Sequence, residues 1–123
     1  MLDKFDELLL DVVDCVIEDV FGKMNANVIY GYLEKKGCPR NDIPTKPEVF
    51  SLEMRNIMGR DMGQILGEAS ILEEAILKAL CFQLKTEFDE ESPASFAGHV
   101  KHLREVYDNG KSGAVQILPK KKR

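Results

Sequence analysis

The sequence has none of the short motifs that mark common catalytic and metal-binding sites. It contains no Cys-x-x-Cys pair, no Gly-x-Ser-x-Gly elbow and no carboxylate–histidine metal signature. Gly110-Lys111-Ser112 matches the end of a phosphate-binding loop, but Glu105 stands where that loop requires a glycine. We therefore predict a protein that is not an enzyme and that holds no cofactor.

The sequence also has no low-complexity tract, no internal repeat and no uninterrupted membrane segment. Its longest apolar stretch is broken by Glu68, Glu73, Glu74 and Lys78, and charges near a helix centre oppose insertion into a bilayer. The opening residues, 1–7, are too acidic for a signal peptide. The 123 residues suit one domain, for which we predict a cytoplasmic location away from membranes.

The dominant feature is an apolar helical run from Gln64 to Leu84, with apolar side chains at nearly every angle of the helical wheel. A helix that is apolar all round must be covered all round. We therefore predict an all-α, single-domain bundle of about five helices, built around this central hydrophobic helix at about residues 64–84.

Four amphipathic helices are predicted to wrap the central one. Helical spacing places the first over Leu2–Phe21 and the second over Asn25–Gly37. Thr45 and Glu48 fit a capping box at the start of the third. The last is predicted over Ser92–Asn109, with serine as its cap.

Composition divides the chain further. The predicted bundle covers residues 1–109 and includes an acidic linker at about 86–92. Residues 110–123 are expected to be a flexible segment, within which 114–118 fits no single class of structure. The net charge of the whole chain is −4. The last four residues carry +4, so residues 1–119 carry −8; these four are Lys120, Lys121, Lys122 and Arg123.

An anionic stripe is predicted on the outer face of the first helix, where carboxylates recur at steps of three and four. Such a stripe is usually a solvated face. Its density also fits a docking strip for a basic partner, including the Lys120–Arg123 tail of a second copy, and salt should weaken that docking. The residues of the stripe are Asp3, Glu7, Asp11, Asp14 and Glu18.

Cysteines and histidines are the remaining candidates for chemistry. Buried free thiols best explain the three cysteines, of which Cys15 and Cys81 occupy apolar helical positions. A redox role for Cys38, which stands in a loop, is the alternative. His99 and His102 share a helix face and are best explained as solvated side chains. A zinc site and a phosphoacceptor histidine are the alternatives.

The stretch from Val28 to Leu84 resembles a group of small helical domains of archaea. Some members of that group are attached to receiver domains or sensor kinases as output modules, so the resemblance implies an all-helical fold and a place in signal transduction. It implies no catalytic residues. The matching segments are Tyr32–Gly37, Ile43-Pro44, Pro47–Phe50, Arg55–Gly59 and Ile71–Ile76.

We expect a helical protein–protein interaction module of signalling or regulation that associates with itself as a dimer. A DNA-associated regulator that uses Arg55, Arg60 and the Lys120–Arg123 tail is the alternative, and a small-molecule sensor with a pocket near Met54, Met58, Met62 and Phe82 is the third option. The residues predicted for packing or pairing are Phe50, Met54, Ile57, Phe82, Phe96, Leu103 and Tyr107.

Overall fold

The computed structural model describes residues 2–57 and 69–113. This part of the chain forms five α-helices and a short 3-10 turn, with no strand, as the hydrophobic periodicity predicts. The helices are α1 (Lys4–Phe21), α2 (Lys23–Lys35), α3 (Pro47–Ile57), α4 (Ala69–Leu84) and α5 (Phe96–Gly113), and the turn is Arg40–Asp42.

A capping box begins α1, and a single glycine separates it from α2. The Asp3 carboxylate accepts from the backbone N–H of Asp6 at 2.8 Å, and the Asp6 carboxylate accepts from that of Asp3 at 3.2 Å. Gly22, with φ +89°, ends α1 as predicted. The second helix was predicted to begin at Asn25, but α2 begins at Lys23, and the Asn25 side chain donates to the carbonyl of Phe21 at 2.9 Å and so caps the end of α1.

The starts of two later helices differ from the sequence prediction. Pro47 is the first residue of α3, so Thr45 lies before the cap position, and its hydroxyl donates to the carbonyl of Asp42 at 3.0 Å. At α5 the cap is Ser95, whose Oγ accepts from the N–H of Gly98 at 3.1 Å. The predicted cap Ser92 belongs to the linker, where its Oγ accepts from Ala94 N–H.

Packing places α4 against α1, α3 and α5, while α2 packs on α1. The linker turns back beside α4, since Lys78 Nζ and Glu90 Oε2 lie 3.5 Å apart. As a result α5 begins next to α3, with ring centroids of Phe50 and Phe96 5.7 Å apart. It then continues to Gly113, past the predicted end at Asn109.

The expectation that the fourth helix is covered all round is wrong for one side. Its core-facing residues are Leu72, Ile76, Leu77, Leu80 and Cys81, each at most 3% exposed. The opposite side leaves Ile71 60% and Phe82 79% exposed. Three neighbouring helices cover only part of the circumference, so a helix without a polar face keeps apolar side chains in water. Residues 64–68 of the predicted helix lie outside the described part.

Candidate interaction surface

The uncovered side of α4 carries a stripe of four exposed side chains, here named the α4 stripe: Ile71, Ala75, Lys78 and Phe82. Spacings of three and four residues align them along one face of the helix. The stripe is about 16 Å long at 1.5 Å per residue. Phe82, at 79% exposure, is an unusual surface residue, because burial of an aromatic ring removes a large apolar area from water.

Lys78, near the middle of the α4 stripe, forms ion pairs with two glutamates beside the stripe. Lys78 Nζ lies 3.0 Å from Glu74 Oε2 and 3.5 Å from Glu90 Oε2. The hydrogen bond to Glu74, reinforced by the charges of both glutamates, raises the pKa of Lys78. Glu74 and Lys78 therefore form an i,i+4 ion pair, and the stripe has apolar ends with opposite charges near its centre.

Other exposed apolar side chains lie on the first three helices. Met24 and Val28 are 83% and 69% exposed on α2, Leu52 is 56% exposed on α3, and Val20 is 44% exposed near the end of α1. None of them is aromatic. Aromatic side chains dominate the energetics of protein interfaces, so the α4 stripe is the strongest candidate among these surfaces.

The seven residues predicted for packing or pairing separate into core and surface. Phe50, Met54, Phe96 and Leu103 are at most 3% exposed and pack inside the bundle. Ile57 and Tyr107 are partly buried against that core. Phe82 alone among the seven is exposed, so it is the member that a partner can contact without unfolding the chain.

The predicted anionic stripe is partly neutralised within the chain. Arg104 Nη1 lies 3.0 Å from Asp3 Oδ2, and Arg40 Nη2 lies 2.5 Å from Asp14 Oδ2. Burial by itself would raise the pKa of Asp14, but hydrogen bonds from Arg40 and Tyr30 outweigh it and hold the pKa below its usual 3.8. The other three members of the anionic stripe are exposed: Glu7, Asp11 and Glu18.

Two buried carboxylates were not anticipated. Asp6 is 5% exposed and forms an ion pair with Arg104, while Glu73 is 5% exposed and lies 2.9 Å from Arg55 Nη2. Glu73 also accepts a hydrogen bond from the Ser51 hydroxyl. The guanidinium of Arg55, which the sequence analysis names as a DNA contact in the alternative function, thus forms an ion pair with a carboxylate of the same chain. Arg60 and the Lys120–Arg123 tail lie outside the described residues.

A cavity of about 340 Å³ opens between the linker and α5 and is lined in part by His99, His102, Phe88 and Cys81. The rings of Phe88 and His99 lie 5.2 Å apart between centroids. Across the described side chains, no cluster of three or more His, Cys, Asp or Glu residues stands ready to hold a metal ion. The pocket expected near the methionines stays a prediction, since Met54 is buried in the core and Met58 and Met62 lie outside the described residues.

The structure buries Cys38 and Cys81, as predicted, but not Cys15. The loop residue Cys38 is fully buried, whereas the helical Cys15 is exposed. Burial raises the pKa of Cys38, and it raises the pKa of Cys81 to about 11. Both thiols therefore stay protonated at neutral pH, which disfavours the redox role left open for Cys38.

In the described ranges no helix is both long enough and apolar enough to cross a membrane. Comparisons of the chain with protein-family models, with curated proteins and with solved structures find no match.

Proposed function

We propose that this protein is a non-catalytic helical interaction module of signalling or regulation, and that it associates with itself through the α4 stripe. The observation that carries the proposal is the exposure of Phe82, 79%, at one end of a stripe whose other end is Ile71, 60% exposed. Exposed apolar surface that is flanked by polar side chains is typical of protein contact sites.

The apolar content of α4 supports this proposal. The helix already supplies five core side chains to its own bundle, and Ala79 and Leu84 are partly buried against the same core, but Ile71 and Phe82 stay 60% and 79% exposed. Covering Ile71 and Phe82 removes apolar surface from water, which favours association. The signalling context rests on the resemblance of residues 28–84 to small helical domains of archaea, some of which are attached to receiver domains or sensor kinases.

Sedimentation equilibrium across a range of concentrations tests the function. The intact chain should show a mass that rises with concentration towards a multiple of the monomer, and Phe82→Glu should shift it to the monomer. Met24→Glu is the matched control, because Met24 is equally exposed on a different helix. If the intact chain is a monomer at millimolar concentration, self-association is contradicted. If Met24→Glu dissociates the assembly and Phe82→Glu does not, the contact lies on α2 rather than on the α4 stripe.

A small-molecule sensor is the second candidate, favoured by the cavity beside α5. Its volume of about 340 Å³ lies at the lower end of the range of ligand pockets. Thermal unfolding with a panel of amino acids, nucleosides and small amines tests it. A compound that raises the Tm of the intact chain, but not that of a His99→Ala variant, supports a sensor, and a panel without effect on Tm counts against it.

A further inference from the structure

We infer that the α4 stripe binds the α4 stripe of a second copy of this chain, with the two helices antiparallel and related by a two-fold axis. The inference rests on the self-association proposed above and adds the register and direction of the pairing. It follows from how the side chains of the stripe are distributed along α4.

The apolar ends of the stripe are symmetric about its centre. Ile71 and Phe82 are eleven positions apart, so the midpoint falls between Ile76 and Leu77. A two-fold axis through that point brings Ile71 opposite Phe82 of the second copy, and Phe82 opposite its Ile71. Both large apolar side chains are then covered at once, as an isologous contact requires.

The centre of the stripe permits close approach and supplies charge complementarity. The same axis places the small side chain of Ala75 opposite Lys78 of the second copy. It also brings Lys78 of each copy within about one helical residue, or 1.5 Å along the axis, of the level of Glu74 in the other. Since Lys78 and Glu74 are both exposed, each lysine keeps Glu74 and Glu90 of its own chain and gains Glu74 of the second copy. Self-complementary charge points to a second copy rather than to an unrelated partner.

A parallel arrangement does not have this complementarity. It sets equivalent residues at the same level, so that Lys78 faces Lys78 and the larger apolar side chains meet only their own kind. Like charges across a contact oppose association. The charge pattern therefore selects the antiparallel direction.

The length of the contact sets the expected strength. A contact of about three helical turns buries less than the roughly 1,200 Å² that marks the lower bound of stable interfaces. We expect a reversible dimer whose population depends on concentration, and therefore one that is sensitive to single charge reversals.

Charge exchange tests the register. Glu74→Lys and Lys78→Glu should each weaken self-association at least tenfold by sedimentation, because each places like charges across the contact. An equimolar mixture of the two variants should recover the dimer, since every cross-contact then joins opposite charges. Lys101→Glu, a reversal on the exposed face of α5, is the control and should leave association unchanged. Circular dichroism verifies that each variant retains its helices.

Spin labels test the direction. Gln83 is exposed one position beyond Phe82, so a label at Gln83→Cys in a Cys15→Ser background reports on the end of the stripe. Antiparallel helices place two such labels about 20 Å or more apart, and parallel helices place them within about 15 Å. The shorter distance overturns the inference. If Phe82→Glu abolishes the dimer but the charge mixture does not restore it, the proposed function stands and the antiparallel register falls.

Discussion

Arg104, in α5, forms an ion pair with the buried carboxylate of Asp6 in the first turn of α1. The same guanidinium binds Asp3 at 3.0 Å and lies 4.7 Å from the centre of the Phe5 ring. Asp6 also accepts the backbone N–H of Asp3, so one cluster fixes the start of the first helix and joins it to the last. A carboxylate at 5% exposure depends on such partners, because desolvation of an unpaired charge is costly.

We predict that Arg104→Ala lowers the free energy of unfolding by about 2–3 kcal/mol, since it leaves Asp6 buried without a counter-charge. Urea denaturation measures the change. Lys101→Ala, on the exposed face of the same helix, should cost less than about 0.5 kcal/mol. Adding Asp6→Asn to Arg104→Ala should cost less than the sum of the two single changes. Strict additivity would show that the pair contributes nothing.

Two glycines, one within α2 and one just after its end, give a second prediction. Gly37 has φ +89°, and it ends α2 in a Schellman motif, where Cys38 N–H donates to Leu33 carbonyl at 2.9 Å. Gly37→Ala should destabilise the protein by about 1–2 kcal/mol, because a β-carbon disfavours this conformation. Gly31, inside the helix with open space around it, is the matched control, and Gly31→Ala should stabilise by about 0.5–1 kcal/mol. Thermal unfolding of both variants measures the contrast. A change in Tm of the same sign in Gly37→Ala and Gly31→Ala would contradict the prediction.

The end of α4 repeats the motif with a lysine in the glycine position. Lys85 has φ +59°, its N–H donates to Phe82 carbonyl at 3.2 Å, and Thr86 N–H donates to Cys81 carbonyl at 3.0 Å. Lys85→Gly should raise the free energy of unfolding by about 0.5–1 kcal/mol, because glycine adopts this conformation without strain. Lys85→Ala, which keeps the β-carbon, is the control in the same urea titration and should give no gain. A loss of stability in the glycine variant would show that the lysine side chain matters more than its backbone.

Local and non-local features of this chain differ in how well the sequence predicts them. Helical periodicity is local, so it identifies the helices and places Phe50, Phe96 and Leu103 in the core. The ion pair of Asp6 joins residues 98 positions apart, and no local pattern indicates that this carboxylate turns inward.

The burial of two neighbouring glutamates likewise depends on non-local packing that the sequence does not predict. Glu73 is buried because Ser51 and Arg55 of α3 happen to face it, while Glu74 is exposed on the other side of the helix. The sequence predicts that adjacent helical positions point apart, but only the packing of α3 on α4 decides which of the two is buried. The sequence likewise predicts self-association and a central helix without a polar face. Which side of that helix stays exposed, here the side of Ile71 and Phe82, depends on where the other helices pack.

Acid should destabilise the protein through the carboxylates of α1. The backbone hydrogen bond from Asp6, aided by Arg104, lowers the pKa of Asp3, and the partners of Asp14 lower its pKa too. A lowered pKa adds stability above the ordinary value of 3.8, and that stability is lost as the pH falls through the pKa of the folded state. The expected loss from Asp14 between pH 5 and pH 2.5 is about 1 kcal/mol or less, since the pair is partly solvated.

Asp14→Asn isolates this contribution to acid sensitivity. The free energy of unfolding of the variant, from urea titrations at several pH values, should fall less steeply below pH 4 than that of the parent chain. Asp11→Asn alters an exposed carboxylate on the same helix and should leave the slope near that of the parent. A slope that Asp14→Asn leaves unchanged would assign the acid sensitivity to other groups.

The three thiols should differ sharply in reactivity. Cys15 is exposed, whereas Cys38 and Cys81 are buried and have raised pKa values. With a disulfide reagent at neutral pH, we expect Cys15 to react in a fast phase. Cys38 and Cys81 should react at least about a hundredfold more slowly, because the fold must open before the reagent reaches these thiols. Cys15→Ser should remove the fast phase only, and denaturant should make the remaining thiols react together. A fast phase that survives in Cys15→Ser would mean that Cys38 or Cys81 reaches solvent, contrary to the burial of both thiols.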